Sequence, residues 1–279
     1  MALPSYFRFR EGDREVLDPS SFRLHDTLAA FHGAPRVFTS FAARRTTEHP
    51  TFRITGLSAH VTRLLRDAAA FNIGRQEHSR LEASEISEAT LAALRSVYDG
   101  SGELELHVRL LASANGIECY CDTLALRWQA GSTVALRTVR AVRPFPEHKT
   151  TATEVCLAAQ REAKNSGCPE ALLLDDEGAI LEGGWSSFFW FDSDGVLCTR
   201  QEGVLLGVTR ALLLDSAEVR FGRCTPSDLR ERGIGCFVAN AVQGITPVSA
   251  IDGAAMQTAD DAVQRLSSLL AAREERYTL

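Results

Sequence analysis

Lysine is scarce in this chain, and its scarcity gives the first indication of chemistry. Of the 30 basic side chains only Lys149 and Lys164 are lysines, and the rest are arginines. A lysine amine can lose its proton and form an imine with a carbonyl, whereas a guanidinium cannot. Lys164 lies on an exposed face of a predicted helix, where arginine would serve equally well. Lys149 stands at a predicted loop-to-helix junction and is therefore the candidate reactive amine, with a solvated loop lysine as the alternative.

Four sequence blocks follow Lys149 in a fixed order. They are residues 167–175 (GCPEALLLD), 181–189 (LEGGWSSFF), 205–210 (LLGVTR) and 246–252 (TPVSAID). In order and spacing these blocks resemble the class IV aminotransferases, the pyridoxal-phosphate (PLP) enzymes of fold type IV. That family includes branched-chain aminotransferases, D-amino-acid aminotransferases and aminodeoxychorismate lyases. The resemblance is strong over residues 149–252 and weaker over residues 37–73.

The resemblance implies a fold, an assembly and a domain organisation. The fold would be a two-domain α/β (α+β) structure of PLP fold type IV, D-amino-acid aminotransferase-like, and the protein would be a homodimer. Residues 129–132 (QAGS) follow a predicted strand over residues 124–128 and form the predicted linker. The N-terminal smaller domain would then span residues 1–128, and the C-terminal larger domain, residues 133–279, would carry the PLP lysine.

The family's cofactor residues can be carried over to matching positions. Lys149 would form the Schiff base and shuttle the proton between the substrate and the cofactor. Glu182 would pair with the pyridine nitrogen and keep it protonated, because only the pyridinium is a good electron sink. Arg63, in the pattern His60-Val61-Thr62-Arg63-Leu64, would bind the phosphate.

Further positions complete the predicted site. Gly207, Val208 and Thr209 open a predicted helix, whose free N–H groups would meet the phosphate together with the Thr209 hydroxyl. The turn at Asn240 and Ala241 matches a second contact to the phosphate or to the substrate carboxylate. Three residues are candidates for substrate binding: Phe38, His107 and Arg109.

The chain also departs from the family pattern at several positions. Ala152 and Thr153 stand where the family often places Asn or Tyr beside the phenolic oxygen of PLP. Ser187 replaces an Asn, and residues 31–36 depart from the segment that lines the substrate pocket in the family. None of these changes removes an essential catalytic group, so the sequence predicts an active enzyme with a substrate that it does not identify.

Three functions follow as hypotheses. The first is a PLP-dependent aminotransferase that moves an amino group between an amino acid and a keto acid. The second is a lyase resembling aminodeoxychorismate lyase, which releases pyruvate and forms 4-aminobenzoate; the sequences at residues 38–40, 57–60 and 240–241 are closer to lyase versions of these blocks. The third is a non-catalytic homologue that acts as a binding subunit, against which the retention of Lys149 argues.

Composition narrows the class of protein. The net charge of −6, without a basic cluster, predicts no nucleic-acid partner. No apolar run approaches membrane-spanning length, and the start lacks the apolar core of a signal peptide, which predicts a cytoplasmic protein without membrane contact. The seven cysteines are scattered without C-x-x-C spacing, so we expect reduced thiols and no metal site.

Several elements must position these residues. Residues 5–17 alternate apolar and polar and predict a hairpin. Ser58 is the predicted cap of a helix whose apolar face carries four side chains: Val61, Leu64, Leu65 and Ala68. The pattern predicts a helix over residues 85–98, strands over residues 103–110 and 233–241, and a last helix over residues 258–275 that frays into the charged tail 273–276.

Overall fold

The computed structural model describes residues 3–10, 13–22, 35–46, 49–73, 82–98, 102–113, 116–232 and 234–278. By their contacts the residues group into two compact units. The first unit contains Met1–Ala125, Lys149–Ala152 and Arg273–Leu279, and the second contains Leu126–His148 and Thr153–Ala272. The domain boundaries predicted from the sequence remain a prediction.

The described part of the chain contains strands, α-helices and a short 3₁₀ helix at Pro19–Ser21. The strands are β1 Ser5–Arg10, β2 Asp13–Leu17, β3 Val37–Thr46, β4 His49–Thr55, β5 Leu104–Ser113, β6 Gly116–Thr123, β7 Val134–Arg140, β8 Glu170–Leu174, β9 Ile180–Gly183, β10 Ser187–Phe191, β11 Leu197–Thr199, β12 Val219–Phe221, β13 Cys236–Asn240, β14 Gly244–Ile251, β15 Ala254–Ala255 and β16 Glu274–Thr278. The helices are α1 Leu57–Ala70, α2 Ala83–Val97, α3 Glu154–Asn165, α4 Val208–Leu214, α5 Pro226–Glu231 and α6 Asp260–Ala271.

The first unit is built on an antiparallel sheet with the strand order β16-β4-β3-β5-β6-β1-β2. Helices α1 and α2 pack together against one face of this sheet, over a core that includes Phe7, Phe41, Leu64 and Leu94. Residues on a strand alternate between the two faces. The other face therefore carries Phe38 of β3 and the predicted substrate residues of β5.

The hairpin of β1 and β2 confirms the prediction for residues 5–17, with its tip at residues 11–12 outside the described residues. The predicted capping role of Ser58 is wrong. Helix α1 begins at Leu57, and Gly56, in a left-handed conformation, occupies the N-cap position. The Ser58 hydroxyl donates instead to Glu275 Oε1 over 3.1 Å. Helix α2 and strand β5 confirm the helix predicted over residues 85–98 and the strand over residues 103–110.

The predicted strand over residues 124–128 is absent, because β6 ends at Thr123 and residues 124–128 are irregular. Instead of pairing with another strand, this segment forms hydrogen bonds with side chains of the second unit. The Arg127 N–H donates to Gln243 Oε1 over 3.1 Å, and the Trp128 indole donates to Thr246 Oγ1 over 3.0 Å. The local alternation of apolar residues was therefore an insufficient signal for a strand.

The C-terminal tail also differs from the prediction. Helix α6 ends at Ala271, and the charged residues predicted to fray form β16, which pairs antiparallel with β4. The cross-strand neighbours Arg53 and Glu274 form an ion pair of 3.5 Å. An edge strand of mixed charge is compatible with a sheet whose border faces water.

The second unit is built on a mixed sheet with the strand order β12-β11-β10-β13-β14-β7-β8-β9, and β15 pairs with β14. The pairs β11–β12, β14–β7 and β7–β8 are parallel. Helix α3 packs on β8 through Ala159 and Ala171, while α4 and α6 pack on Phe189 and Phe237. Strands β8 and β13 confirm the buried runs predicted in residues 167–175 and 233–241.

The cysteines and the helices bear on two further predictions. All seven cysteines are thiols without a disulfide, and Cys119 and Cys121 lie on one face of β6 with their sulfurs 3.8 Å apart. Within the described segments, no helix combines the length and the apolar character needed to cross a membrane.

Candidate active site

Lys149 is held by the backbone of β3 and of the residues before it. The Phe38 N–H donates to the Lys149 carbonyl over 3.0 Å. Two residues later, the Thr151 N–H donates to the Arg36 carbonyl over 2.8 Å, and the Arg36 N–H donates back to Thr151 Oγ1 over 3.1 Å. This short pairing explains why Lys149–Ala152 groups with the first unit, although the prediction placed Lys149 in the C-terminal domain.

A buried carboxylate adds a second attachment at Lys149. The Lys149 N–H donates to Asp67 Oδ2 over 3.0 Å, and Asp67 lies on the buried side of α1. The Lys149 amine lies 4.8 Å from the centre of the Phe38 ring, a cation–π distance. The sequence analysis missed Asp67. Its signal was an acidic residue on the apolar face of a predicted helix.

Arg63 belongs to a buried chain of hydrogen bonds on the same helix. Its guanidinium donates to Thr39 Oγ1 over 2.6 Å, and Thr39 Oγ1 lies 2.7 Å from His60 Nδ1. The Thr39 oxygen therefore joins the Arg63 guanidinium to the His60 imidazole within one buried hydrogen-bonded group.

The surroundings of His60 favour its neutral form. Burial, followed by the positive charges of Arg63 and Lys149, holds the pKa of His60 well below its usual value. The imidazole is therefore neutral at physiological pH, and its Nδ1 is hydrogen-bonded to Thr39 Oγ1. Arg63 and His60 share one helix face, as predicted, and they are joined through a strand residue that the sequence analysis had not assigned.

His107 and Arg109 also lie on one face of their strand, as predicted. The Arg109 guanidinium is 2.9 Å from His107 Nδ1 and lies over the Tyr120 ring, 5.6 Å from its centre. Burial lowers the pKa of Arg109 from its usual value, but the group remains a cation at any physiological pH. The registers Phe38↔Leu111 and Ser40↔Arg109 place Arg109 on the face of the sheet that carries Phe38.

Glu182 is a buried carboxylate at the end of a strand in the second unit, 3% exposed. The Leu205 N–H donates to Glu182 Oε2 over 3.1 Å, and the Arg143 guanidinium lies 3.3 Å from Oε1. Arg143 also donates to the carbonyls of Pro146 and His148, over 2.9 and 3.0 Å. Arg143 therefore links Glu182 to the chain directly before Lys149, a role that the sequence analysis did not assign.

A second buried carboxylate, Glu170, stabilises the turn that follows Glu182. Glu170 Oε1 accepts from the Trp185 N–H over 3.0 Å and from the Ser186 hydroxyl over 2.8 Å. Gly183 lies against this group, since a Cβ on Gly183 would stand 2.2 Å from Ser186 Oγ and 2.7 Å from Glu170 Oε1. Only glycine fits at this position without displacing the hydrogen-bonded pair.

The predicted phosphate loop opens a helix, as expected. Gly207 is the N-cap residue of α4, and Val208 and Thr209 form its first buried turn. The free N–H groups of a helix start favour an anion. Arg210 is buried behind them, donating to the Arg200 carbonyl over 2.8 Å, and burial lowers its pKa from the usual value.

The side chain of Asn240 stabilises the turn that directly follows it. Its side-chain oxygen accepts from the N–H groups of Val242 and Gln243, over 2.9 and 2.7 Å. These bonds shape the connection between β13 and β14 and present the backbone of Ala241. The stretch of residues 31–36, which departs from the family pattern, lies outside the described residues except for Pro35 and Arg36.

These groups fit pyridoxal phosphate by their chemistry. Lys149 offers a primary amine to the aldehyde, and the buried Glu182 offers a hydrogen-bond acceptor to a protonated ring nitrogen. In the first unit, Arg63 is a buried cation of the kind that binds a phosphate. In the second unit, the start of α4 has the N–H groups that favour an anion.

Known proteins provide an independent comparison. The family model for amino-transferase class IV matches residues 37–251. The branched-chain-amino-acid aminotransferase of Pseudomonas aeruginosa is 27% identical over 271 residues, covering 86% of this chain and 84% of that protein.

Two solved structures show the same fold. The fold IV-transaminase CpuTA1 from Curtobacterium pusillum has a TM-score of 0.76 at 20% identity, covering 97% of this chain and 98% of that chain. The branched-chain aminotransferase from the archaeon Thermoproteus uzoniensis, solved with norvaline, has a TM-score of 0.77 at 20% identity, covering 97% of this chain and 96% of that chain. The predicted fold type IV architecture is thereby confirmed.

Proposed function

The chain belongs to the class IV aminotransferase family, and we propose that it transfers an amino group between an amino acid and a keto acid, with Lys149 binding the cofactor covalently. Members of this family are PLP-dependent enzymes, so PLP is the cofactor. One observation carries the assignment of Lys149. Both lysines of the chain lie within the family match, and Lys149 is the one whose backbone is held by β3 and by the buried Asp67, whereas Lys164 is exposed on α3.

Lys149, Glu182 and Arg143 have separate roles in the proposed reaction. Bound PLP supplies an aldehyde that condenses with amines and a ring that accepts electrons. The Lys149 amine takes the proton from the α carbon of the substrate and returns it later in the cycle. Glu182 would accept a hydrogen bond from a protonated ring nitrogen, and Arg143, 3.3 Å from the carboxylate, would balance its charge.

Other residues hold the anionic groups. Arg63 and the turn of Gly207, Val208 and Thr209 bind the phosphate, and the backbone at Asn240 and Ala241 provides a further N–H group. The cation Arg109, with His107 beside it, binds a substrate carboxylate, and Phe38 packs against the substrate. These roles follow from the family resemblance.

The amino donor that we propose is a branched-chain amino acid. The support is the similarity to the Pseudomonas aeruginosa protein of that name, which extends over most of both chains. We also propose a homodimer on the basis of the family resemblance. Light scattering of the purified protein measures that assembly directly.

The test begins with the absorbance spectrum of the purified protein. We expect a yellow cofactor band that valine, leucine or isoleucine bleaches and a keto acid restores. Borohydride reduction followed by mass spectrometry should place the cofactor on Lys149. Lys149→Ala should lose the label, whereas Lys164→Ala, a substitution of the other lysine on an exposed helix face, should keep it.

Two outcomes would contradict the proposal. Absence of label on Lys149 in a protein that binds PLP would overturn the assignment of the reactive amine. A yellow band that neither L- nor D-amino acids bleach would overturn the aminotransferase assignment, and release of pyruvate from aminodeoxychorismate without a keto acid would establish the lyase in its place.

A further inference from the structure

A buried carboxylate on β6 lies at the centre of a cluster of polar side chains in the first unit. Glu118 is 5% exposed. It accepts a hydrogen bond of 2.5 Å from the Tyr6 hydroxyl, and it lies 3.7 Å from both the Arg8 and the Arg36 guanidinium. We call these four residues the Glu118 cluster. A carboxylate at this depth is retained only where partners compensate its lost hydration.

The two arginines of the cluster have different attachments. Arg8 lies on β1 directly opposite Glu118, and it also pairs with Glu15 over 3.2 Å near the surface. Arg36 precedes β3, and its own backbone makes the two hydrogen bonds that hold Thr151. Of the two ion pairs, the one with Arg36 is therefore connected to the segment that carries Lys149.

We propose that Glu118 is a positioning residue for Lys149, because its carboxylate fixes the Arg36 side chain and thereby the backbone pairing of Arg36 with Thr151. This inference rests on the proposed role of Lys149 as the reactive amine. Glu118 sets how firmly the lysine segment is paired with β3.

The energetic reason lies in burial. Loss of the Glu118 charge removes the carboxylate that lies 3.7 Å from the Arg36 guanidinium, a side chain only 16% exposed, and this favours conformations in which the guanidinium reaches water. The Arg36 backbone is drawn along, since side chain and main chain are joined at one Cα. The bonds between Arg36 and Thr151 then open more often.

Amide hydrogen exchange in the cofactor-bound full chain measures this opening. In Arg36→Gln and in Glu118→Gln we expect the Thr151 and Phe38 amides to exchange about tenfold faster, which corresponds to about 1.4 kcal/mol. The Lys149 amide, held by Asp67, should change less. Exchange in the β5–β6 ladder should stay unchanged, which separates local opening from a general loss of stability.

Arg8→Gln is the matched control, because it removes an ion pair of the same length to the same carboxylate. The Thr151 amide should then exchange within about twofold of wild type. The pH midpoint of the cofactor absorbance should shift in Arg36→Gln and Glu118→Gln and stay in place in Arg8→Gln. Equal effects of Arg8→Gln and Arg36→Gln on the Thr151 amide would overturn the proposal, because the cluster would then act only on stability.

If Arg36→Gln does not fold, Arg36→Lys provides an alternative test of the role of Arg36. It retains the charge but loses the planar fork of the guanidinium. We expect about threefold faster exchange at Thr151, and unchanged exchange would overturn the role of Arg36. A wild-type protein that shows no cofactor band would contradict the proposed function alone, because the exchange of Thr151 can then be compared between the same variants in the full chain without cofactor.

Discussion

At the scale of single residues, the buried imidazole of His60 links hydrogen bonding to the pH dependence of stability. Burial holds the folded-state pKa of His60 well below the value of about 6.5 expected in the unfolded chain. Below that pH the unfolded chain binds a proton that the folded protein does not. The contribution of His60 to stability is therefore intact above about pH 6.5 and falls as the pH decreases, by up to about 1.4 kcal/mol per unit.

His60→Gln tests this sign, because glutamine can accept from Thr39 and does not titrate. We expect the stability advantage of wild type over the variant to shrink by about 1.4 kcal/mol between pH 7.5 and pH 5.5. Urea denaturation at the two pH values measures the difference, and other titrating groups cancel between the proteins. An advantage that stays constant would show that His60 is not held neutral by the fold.

The pair of Arg143 and Glu182 gives a second prediction at this scale. Both side chains are largely buried, 13% and 4% exposed. Removal of either partner should cost about 3 kcal/mol of unfolding free energy, because the other charge is left buried. A double-mutant cycle with Arg143→Gln and Glu182→Gln should yield a coupling energy above about 1.5 kcal/mol by urea denaturation.

The exposed pair of Arg220 and Asp194 serves as the comparison for this cycle. Its atoms approach to 3.0 Å, but the side chains are 50% and 68% exposed. Solvent screening should limit its coupling to less than about 1 kcal/mol. Similar coupling in the two pairs would mean that burial does not strengthen the contact with Glu182.

Candidates for the reactive groups could be named from the sequence, whereas their partners could not. Lys149 was selected as one of only two lysines, and Glu182 and Arg63 were selected because they match motif positions of the family that the sequence resembles. Their partners Asp67, Arg143 and Thr39 have common side chains whose roles depend on contacts across the fold. Asp67 meets the Lys149 backbone from 82 positions away, and no local pattern encodes that approach.

At the scale of elements, the turn between β9 and β10 is held by close packing. A Cβ on Gly183 would stand 2.2 Å from Ser186 Oγ and 2.7 Å from Glu170 Oε1, whereas a Cβ on Gly184 would have no neighbour closer than 3.6 Å. We expect Gly183→Ala to lose about 2 kcal/mol of unfolding free energy, because the buried hydrogen bond to Glu170 must open. Gly184→Ala should change it by less than about 0.5 kcal/mol.

Chemical denaturation of the two variants, together with their affinity for PLP, checks this prediction. Gly183→Ala should also bind PLP more weakly, since Glu182 directly precedes the displaced residue. Equal stability of the two alanine variants would show that the turn relaxes around an added methyl group without cost.

Elements were predictable where periodicity and burial agree. Helices α1 and α2 and strands β5 and β8 have apolar residues at the spacing that their buried faces require. The failures lie at residues 124–128 and 273–276. The first segment alternates like a strand but has side-chain partners, and the second resembles a fraying helix end but meets the open edge of β4. Pairing depends on a remote partner, which local sequence does not reveal.

At the scale of the whole molecule, segments that are distant in the sequence belong to the same compact unit. The first unit takes its main body from Met1–Ala125 and then receives two later segments, Lys149–Ala152 and Arg273–Leu279. The second of these supplies β16, the edge strand of the first sheet. A fragment that ends at Ala125 therefore lacks both Lys149 and a strand of its own sheet.

Removal of residues 273–279 tests how much the first unit depends on this returning strand. The truncation opens the edge of β4 and removes three contacts: Arg53 with Glu274, Ser58 with Glu275, and Arg95 with the Thr278 carbonyl. We expect a loss of about 2 kcal/mol, seen as a fall of roughly 5 °C in Tm, and aggregation through the exposed edge. Arg276→Gln keeps the backbone ladder while changing an exposed side chain, so its Tm should stay within about 1 °C. A truncated protein that unfolds at the wild-type temperature would show that the sheet is complete without β16.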